Sequence, residues 1–533
     1  MPYAITQTCC TDASCVAVCP VNCIHPTPDE PEFATTDMLY IDPRTCIDCG
    51  ACADACPVDA VFPADRLTGP DAVYVELNRR HFGDEPADDT WGAPEFPRSL
   101  PAGAGPLRVA VVGTGPAAGY TIQSLLRSTS AEVTVLDRLP VPGGLVRFGV
   151  APDHPSTKNI GRRFATNYRH PRVRMHLNVE VGRDITHADL AAHHHAVVYA
   201  VGAAGDRTLG IPGEDLPGSI PATRFVGWCN AAPDVPGDAV DLSAERAVVV
   251  GTGNVALDVA RILLSDPDEL ARTDIADHAL AALRASKVRE VVLLGRRGPE
   301  QAAFTRPEFL AMRDRLGAEI VVDDHGGVAG DLAAAAPSAT AGLLRDLPAE
   351  PVDLALPPPE GRRLVLRFRS APTRVLGDHQ VRGLRVTGTG GERDIAAGLV
   401  VRSIGCRGVP LPGLPFDEDT GVIPHDRGRV GTGTYVVGWA KRGATGGIGA
   451  NRACAAETVD ALLDDAAAGR LTAPGADAAA FARLVRQRRP DAIGLREAES
   501  IDRAERRRGE RAGRPRVKFA TVPELLAAGR SRR

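Results

Sequence analysis

Two stretches of this chain nearly repeat each other: Arg108-Val-Ala-Val-Val-Gly113-Thr-Gly115 and Arg246-Ala-Val-Val-Val-Gly251-Thr-Gly253. Each is an apolar run short enough for a buried strand, closed by glycines that permit a tight turn into a helix. After the first, residues 116–127 read as a helix and 132–136 as the next strand, completing one βαβ unit. After the second, 255–264 and 277–285 read as helices and 290–294 as a strand. One supersecondary unit used twice is not a short-period repeat. It predicts an α/β chain with two Rossmann-like dinucleotide-binding domains and excludes an all-helical or all-β fold.

The two copies differ at the end of the following strand. Behind Gly113-Thr-Gly115-Pro-Ala117-Ala-Gly119 that strand ends in Asp137, 24 residues beyond Gly113. A carboxylate there accepts hydrogen bonds from both ribose hydroxyls and repels a 2′-phosphate, so this copy suits FAD or NAD. The helix N-terminus supplies amides for the pyrophosphate. Behind Gly251-Thr-Gly253-Asn254-Val255 the strand ends in Gly295-Arg296-Arg297 and carries no acid. Two guanidiniums can clamp a 2′-phosphate, which is NADP recognition; the plainer reading is a solvated strand end. One site that excludes a 2′-phosphate beside one built for it assigns FAD to the first copy and NADP(H) to the second. A flavin converts hydride into single electrons.

Nine of the twelve cysteines fall within the first 56 residues. Without a secretion signal, that density points to metal or redox chemistry before disulfides. The run Cys46-x2-Cys49-x2-Cys52-x3-Cys56-Pro57 matches that of bacterial two-cluster ferredoxins and not the paired, well-separated spacing of a zinc ribbon. Cys19, Cys46, Cys49 and Cys52 then hold a [4Fe–4S] cluster. The other cluster has Cys9, Cys15 and Cys56, because Asp12 stands where the middle Cys of the earlier run is expected. Three thiolates suit a [3Fe–4S] centre, or a [4Fe–4S] centre whose labile iron is held by Asp12 or water. Cys10, adjacent to Cys9, reads as a poor substitute ligand and Cys23 as a spare thiol. Cys229, Cys406 and Cys454 read as small buried apolar residues.

The rest of the composition bounds the setting. Apolar residues make up 44% and charged residues 24%, a globular balance, and the net charge of −5 argues against nucleic acid as a partner. No uncharged apolar run approaches the roughly 20 residues a membrane span needs. The N-terminus lacks the basic and apolar regions of a signal peptide, so a cytoplasmic location is expected. Residues 1–65 hold ten acidic side chains and one basic, a balance of −9 that leaves the remainder near +4. Opposite fields of this kind steer docking. Residues 66–105 read as a Pro-rich linker with a short strand at 72–77. Residues 325–362 read as a surface excursion without a motif, and 477–533 as Arg-rich and largely helical.

Three further segments carry a resemblance. They are Gly143-Gly-Leu145-Val-Arg-Phe-Gly-Val-Ala-Pro-Asp-His154, Asn254-Val255-Ala-Leu-Asp258-Val-Ala-Arg261 and Gly438-Trp439-Ala-Lys-Arg-Gly-Ala-Thr-Gly446-Gly447-Ile448-Gly449. All three are similar to signatures of the adrenodoxin-reductase family of ferredoxin–NADP reductases, over roughly residues 107–525. With the N-terminal unit included, the chain resembles a bacterial ferredoxin/ferredoxin–NADP reductase fusion. The resemblance implies a two-cluster ferredoxin-like domain at 1–65, a linker at 66–105, an FAD domain from 106–205 and 402–533, and an NADP domain inserted at 206–401. Residues 199–203 resemble the strand that leaves the FAD domain and 400–405 the strand that returns to it.

For FAD the resemblance implicates Gly113, Gly115, Ala117, Asp137, Leu145 and Val181, with Trp439 packed at the flavin. The amides of Gly446, Gly447 and Ile448 then face the flavin from a helix N-terminus, where amides and a helix dipole stabilise the negative charge of its reduced form. For NADP it implicates Gly251, Gly253, Asn254, Val255, Arg296, Arg297, Glu308 and Gly446. His154 and Asp258 match residues near the nicotinamide and are the catalytic candidates, although a helix Asp is equally an ordinary structural group. The family usually has Glu where Asp137 stands; the reach is shorter and the chemistry the same.

The expected activity is that of an NADPH–ferredoxin oxidoreductase carrying its own ferredoxin, in which positioning and electrostatics suffice and no general acid or base is obligatory. Expected partners are NADPH and ferredoxin or another one-electron acceptor, such as a cytochrome P450 system. The rival readings are a reductase subunit resembling the small subunit of glutamate synthase, and a redox-sensing or relay module of a larger complex.

Overall fold

The computed structural model describes residues 2–83, 98–100, 106–337 and 339–531. One sheet of six strands takes its members from two distant parts of the chain. Its order is Arg429–Gly431, Thr434–Val436, Ala196–Tyr199, Arg108–Val112, Glu132–Asp137 and Val173–Leu177, parallel except for the first pair. Every residue of Val109–Val112 and of Ala196–Tyr199 is buried, as strands covered by helices on both faces must be. Helix Pro116–Ser128 covers one face and packs against the 18-residue helix Ala450–Ala467.

The second sheet is seven-stranded and wholly parallel: Ser219–Pro221, Leu399–Arg402, Arg246–Val250, Glu290–Leu294, Arg363–Arg367, Glu319–Asp323 and Ala349–Glu350. A three-stranded antiparallel sheet, Ser370–Leu376, Gly383–Gly388 and Gly391–Ala396, lies against it. The chain passes between the two large sheets at Gly205–Asp206 and Cys406–Arg407, which pair antiparallel.

The N-terminal unit is built from Tyr3–Ile5 paired with Val61–Pro63, and Ile24–His25 paired with Tyr40–Ile41. It does not stand apart. One continuous apolar core runs from Ile5, Cys15, Ile41 and Cys52 into Val109, Tyr120, Phe164 and Leu462. No helix among the described residues is long and apolar enough to cross a membrane.

Four expectations are corrected here. Residues 72–77 are not a strand but the start of the helix Ala72–Phe82. Its Tyr74 and Asn78, one turn apart, are both buried; Asn78 bonds Ile5 and Ile41, and the Tyr74 hydroxyl donates to the Pro307 carbonyl. Most of 66–83 therefore belongs to the N-terminal unit, and of the rest of the expected linker residues 84–97 and 101–105 lie outside the described residues. Residues 325–362 are no mere surface excursion, since Val328, Leu332, Ala341 and Leu344 are buried in the second core and Ala349–Glu350 extends its sheet. Leu399–Arg402 pairs inside the second sheet, so the return to the first runs through Cys406–Arg407 instead. Cys406 itself is half-buried, unlike Cys229 and Cys454.

Candidate functional site

Both glycine turns lie at the carboxyl ends of their strands, where open α/β sheets bind ligands. Gly113 has φ +110°, and a Cβ there would meet the Ala200 carbonyl oxygen at 2.4 Å. Gly251 has φ +130°, and its Cβ would meet the Ser403 carbonyl at 2.2 Å. Each turn is thus pressed against the neighbouring strand and only Gly fits. Gly115 and Gly253 differ: a Cβ at either would point into open space. That is the cradle a pyrophosphate occupies at a helix N-terminus.

Gly253→Ala is expected to leave the thermal midpoint unchanged while raising the KM for NADPH about tenfold, roughly 1.4 kcal/mol. Gly251→Ala is expected to cost stability of about 1–3 kcal/mol through backbone strain. Thermal melts and steady-state kinetics on the pair check this; equal effects from both substitutions would remove the assignment of Gly253 to the cofactor.

Around the first turn, Thr114 Oγ1 donates to Asp137 Oδ2 at 2.5 Å and the Leu139 amide to Oδ1 at 2.9 Å, which fixes the carboxylate at the strand end. Leu145, at the head of helix Leu145–Phe148, is 45% exposed. Ala117 lies under Gly438, whose Cβ would meet that of Ala117 at 2.6 Å. This contact draws the Trp439–Ile448 segment over the turn. Trp439 Nε1 donates to the Thr445 carbonyl, and Asn451 Nδ2 to those of Gly447 and Ile448, shaping the loop that heads helix Ala450–Ala467. Val181 stands aside, half-buried in a small cluster with Ile185 and Leu411.

At the second turn, Asn254 holds Thr305 through both amide atoms, Nδ2 to Oγ1 at 3.2 Å and Oδ1 from the Thr305 amide at 2.8 Å. That places the start of helix Arg306–Arg315, and with it Glu308, beside the turn. Val255 is 44% exposed. Arg296 and Arg297 are exposed at the strand end, and neither guanidinium has a hydrogen-bond or carboxylate partner among the described residues. Two unpaired cations side by side are available to an anion.

Between the sheets lies a charged cluster of which sequence reasoning found three members. Arg261 pairs with Asp153 (2.5 and 3.0 Å) and with Asp258 (2.6 Å), and its Nη2 lies 2.7 Å from His154 Nε2. Asp258 Oδ1 is 3.2 Å from the same nitrogen. His154 Nε2 therefore accepts from Arg261 when neutral and donates to Asp258 when protonated. Burial pushes the Asp258 carboxyl up, but the Arg261 charge and the His154 hydrogen bond outweigh it and hold it at about 2. Glu308 faces this cluster, and burial raises its pKa against the opposing pull of His154. Asp153 and Arg261 were missed as participants. Their signal was local: Asp153 precedes His154, and Arg261 lies one helical turn beyond Asp258.

The cysteines fall into two groups. Cys9, Cys10, Cys15 and Cys56 line one small pocket together with Ile5, Leu39 and Val58. Cys10 was not expected there. Asp12 lines the same space, but its carboxylate takes the Ser14 amide (3.0 Å), the Ser14 hydroxyl (2.6 Å) and the Tyr120 hydroxyl (3.1 Å). The second group is Cys19, Cys46, Cys49 and Cys52, with Cys23 between them. Cys23 Sγ lies 3.4 Å from Cys19 Sγ. Hydrogen bonds from Cys23 lower Cys19 and Cys46 to about 6, so both are thiolate-competent. Burial raises Cys9 to about 11, and a bound cation would reverse that shift. The donor sets fit iron–sulfur clusters.

Two dinucleotide turns of opposite ribose-end charge, the first of them on a sheet that shares its core with a thiol-rich unit, define a pyridine-nucleotide flavoprotein oxidoreductase joined to an iron–sulfur domain. Residues 107–292 match the family described as pyridine nucleotide-disulphide oxidoreductase, and residues 39–62 match the 4Fe-4S binding domain. The chain is 52% identical to a probable ferredoxin/ferredoxin–NADP reductase of Mycobacterium tuberculosis, over 100% of this chain and 95% of that protein. It is 40% identical to the mitochondrial NADPH:adrenodoxin oxidoreductase of Salvelinus fontinalis, over 80% of this chain and 91% of that one. Among solved structures, Mycobacterium tuberculosis FprA in complex with NADPH matches with a TM-score of 0.73 and 43% identity, over 80% of this chain and 100% of that one. The chain belongs to the ferredoxin/ferredoxin–NADP reductase family.

Proposed function

We propose that this chain moves electrons between NADPH and a one-electron acceptor through FAD and two iron–sulfur centres of its own. The observation that carries the reading is the single core uniting the thiol-rich unit with the first dinucleotide sheet. FAD, bound at the Gly113 turn, supplies the conversion between hydride and single electrons. Asp137 receives its ribose, Gly115 gives its pyrophosphate room, and the loop at Gly446–Ile448 offers amides at a helix N-terminus. Arg296 and Arg297 receive the 2′-phosphate of NADPH. Asn254 sets the helix that carries Glu308, and Arg261 holds Asp153, His154 and Asp258 at the junction of the two halves. The acceptor is a ferredoxin or a similar one-electron protein, of which a cytochrome P450 system is one case, in the reducing cytoplasm that keeps nine clustered thiols free for iron.

The test is direct. Purified protein should carry one flavin and seven or eight irons per chain, and NADPH should reduce both flavin and clusters. Steady NADPH oxidation that delivers no electron to any one-electron acceptor would point to a relay needing a partner subunit. A finer expectation concerns the Cys9–Cys15–Cys56 centre, which we assign as [3Fe–4S]. The carboxylate of Asp12 is spent on Ser14 and Tyr120, and the remaining thiol at that pocket, Cys10, directly follows Cys9 in sequence. Air-isolated protein should show the EPR signal of an oxidised three-iron centre, unchanged in Cys10→Ser. Eight irons without that signal would make Cys10 the fourth ligand.

A further inference from the structure

The two groups of cysteines meet different surroundings. The Cys9, Cys10, Cys15 and Cys56 group is closed in by the reductase. The Gly449 amide donates to the Cys10 carbonyl at 2.9 Å, and Arg452 Nη1 donates to the Asp12 carbonyl at 2.7 Å. The Tyr120 hydroxyl donates to the Asp12 carboxylate, and Arg163 Nη1 reaches Ser14 Oγ at 3.1 Å and the Ala55 carbonyl at 3.2 Å. Contact is so close at Gly449 that a Cβ would lie 2.1 Å from the Cys10 oxygen and 2.4 Å from the Asp12 nitrogen. Gly449 directly follows Ile448, in the loop that heads helix Ala450–Ala467, and it is buried while Gly446 and Gly447 are exposed. The other group ends at the surface. Cys49 is exposed, with Ile47 55% and Val18 42% exposed, and Asp48 and Asp54 exposed nearby in sequence.

We propose that electrons enter the iron–sulfur unit at the Cys9–Cys15–Cys56 centre and leave it at the Cys19–Cys46–Cys49–Cys52 centre. The exit face serves an acceptor protein that presents basic residues around an apolar patch. The proposal rests on the functional reading above, which puts the flavin at the Gly446–Ile448 loop. Tunnelling rates fall steeply with distance, so the centre whose flanking Cys10 carbonyl takes the Gly449 amide, next to that loop, takes the electron first. The balance is simple. NADPH is oxidised to NADP⁺ and its hydride supplies two electrons, which pass singly from the first centre to the second. Two acceptor molecules are each reduced by one electron, and one proton goes to solvent. Exposed acidic Asp48 and Asp54 together with exposed apolar Val18 and Ile47 match a partner surface that is both basic and apolar.

The experiment uses the full holoprotein and EPR with stopped-flow absorbance, flavin bleaching being followed as an internal reference. In Cys15→Ser the second centre, still reducible by dithionite, should no longer be reduced by NADPH. Its reduction by NADPH at the wild-type rate would overturn the proposal. Should Cys15→Ser lose both centres, Arg163→Glu combined with Arg452→Glu keeps every cysteine and decides the matter. Reduction of both centres should then slow together, and an unchanged rate overturns the proposal. In Cys49→Ser the first centre should still be reduced by NADPH while electron transfer to cytochrome c, a basic one-electron protein, is lost. Undiminished cytochrome c reduction by that variant would place the exit elsewhere and overturn it. If wild-type clusters respond to dithionite but never to NADPH, it is the functional reading that fails.

Discussion

Replacing Arg296 and Arg297 together by Ala should lower kcat/KM for NADPH by about 2–4 kcal/mol, on the order of 30- to 1,000-fold, while NADH changes little. The loss should fall on KM, since the 2′-phosphate is remote from the hydride and contributes equally before and in the transition state. The physical basis is the absence of any competing partner: no carboxylate or carbonyl among the described residues engages either guanidinium. A phosphate therefore displaces water only, with no ion pair to break. Steady-state kinetics with both coenzymes settle it. Equal losses for NADPH and NADH would show that these arginines shape the strand end and do not read the phosphate.

Cutting the chain within residues 84–97 should make flavin-to-cluster electron transfer depend on protein concentration and on salt. In the intact chain the step is intramolecular, and the covalent link supplies an effective concentration on the order of 1 mM. At micromolar concentrations the severed halves should therefore transfer electrons on the order of a thousandfold more slowly, unless they rebind tightly. Besides the shared apolar core, the contacts that must re-form include charged and polar ones: Arg315 with Asp71 at 2.7 Å, Asn159 with Asp59, Arg163 with the Ser14 hydroxyl and the Ala55 carbonyl, and Arg452 with the Asp12 carbonyl. Those that carry net charge weaken within a Debye length, about 10 Å at 0.1 M salt, so raising salt should deepen the loss. Stopped-flow traces at several concentrations give the answer. Severed halves that match the fusion at micromolar concentration would mean that the docked surface alone, and not the tether, secures the rate.

The acidic N-terminal unit and basic remainder are legible in the sequence, and so is the direction of their attraction. Where they meet is not. Tyr120 falls within the first dinucleotide helix and Gly449 closes the Gly438–Gly449 segment, while Arg452 lies in no segment that the sequence singles out. Their joint role at Cys10–Ser14 depends on segments 108 and 440 residues away in sequence being brought together. Nothing in either local pattern records that distance.

Residues 72–82 show the same limit from the other side. Ala-Val-Tyr-Val-Glu-Leu alternates with β-formers and reads as a strand, since period two is the stronger local signal. The helix wins because Tyr74 and Asn78, four apart, can then both face the N-terminal unit, and Asn78 satisfies backbone groups of Ile5 and Ile41 that would otherwise be buried without partners. Tertiary context overrode propensity.

What the sequence by itself determined were features set by spacing along a few residues: both glycine turns, the acid and the arginines that close their second strands, and the thiols of the Cys46–Cys56 run. Each depends on chemistry that works only at a fixed short separation, so the spacing is the evidence. What only the tertiary structure decided were the pairings between distant segments. Leu399–Arg402 joined the second sheet, Arg261 bound Asp153 across the junction, Cys10 turned into the cavity, and Gly449 met the Cys10 carbonyl. These are choices among many partners of similar local character, and only burial and the closure of long loops around a shared core select one.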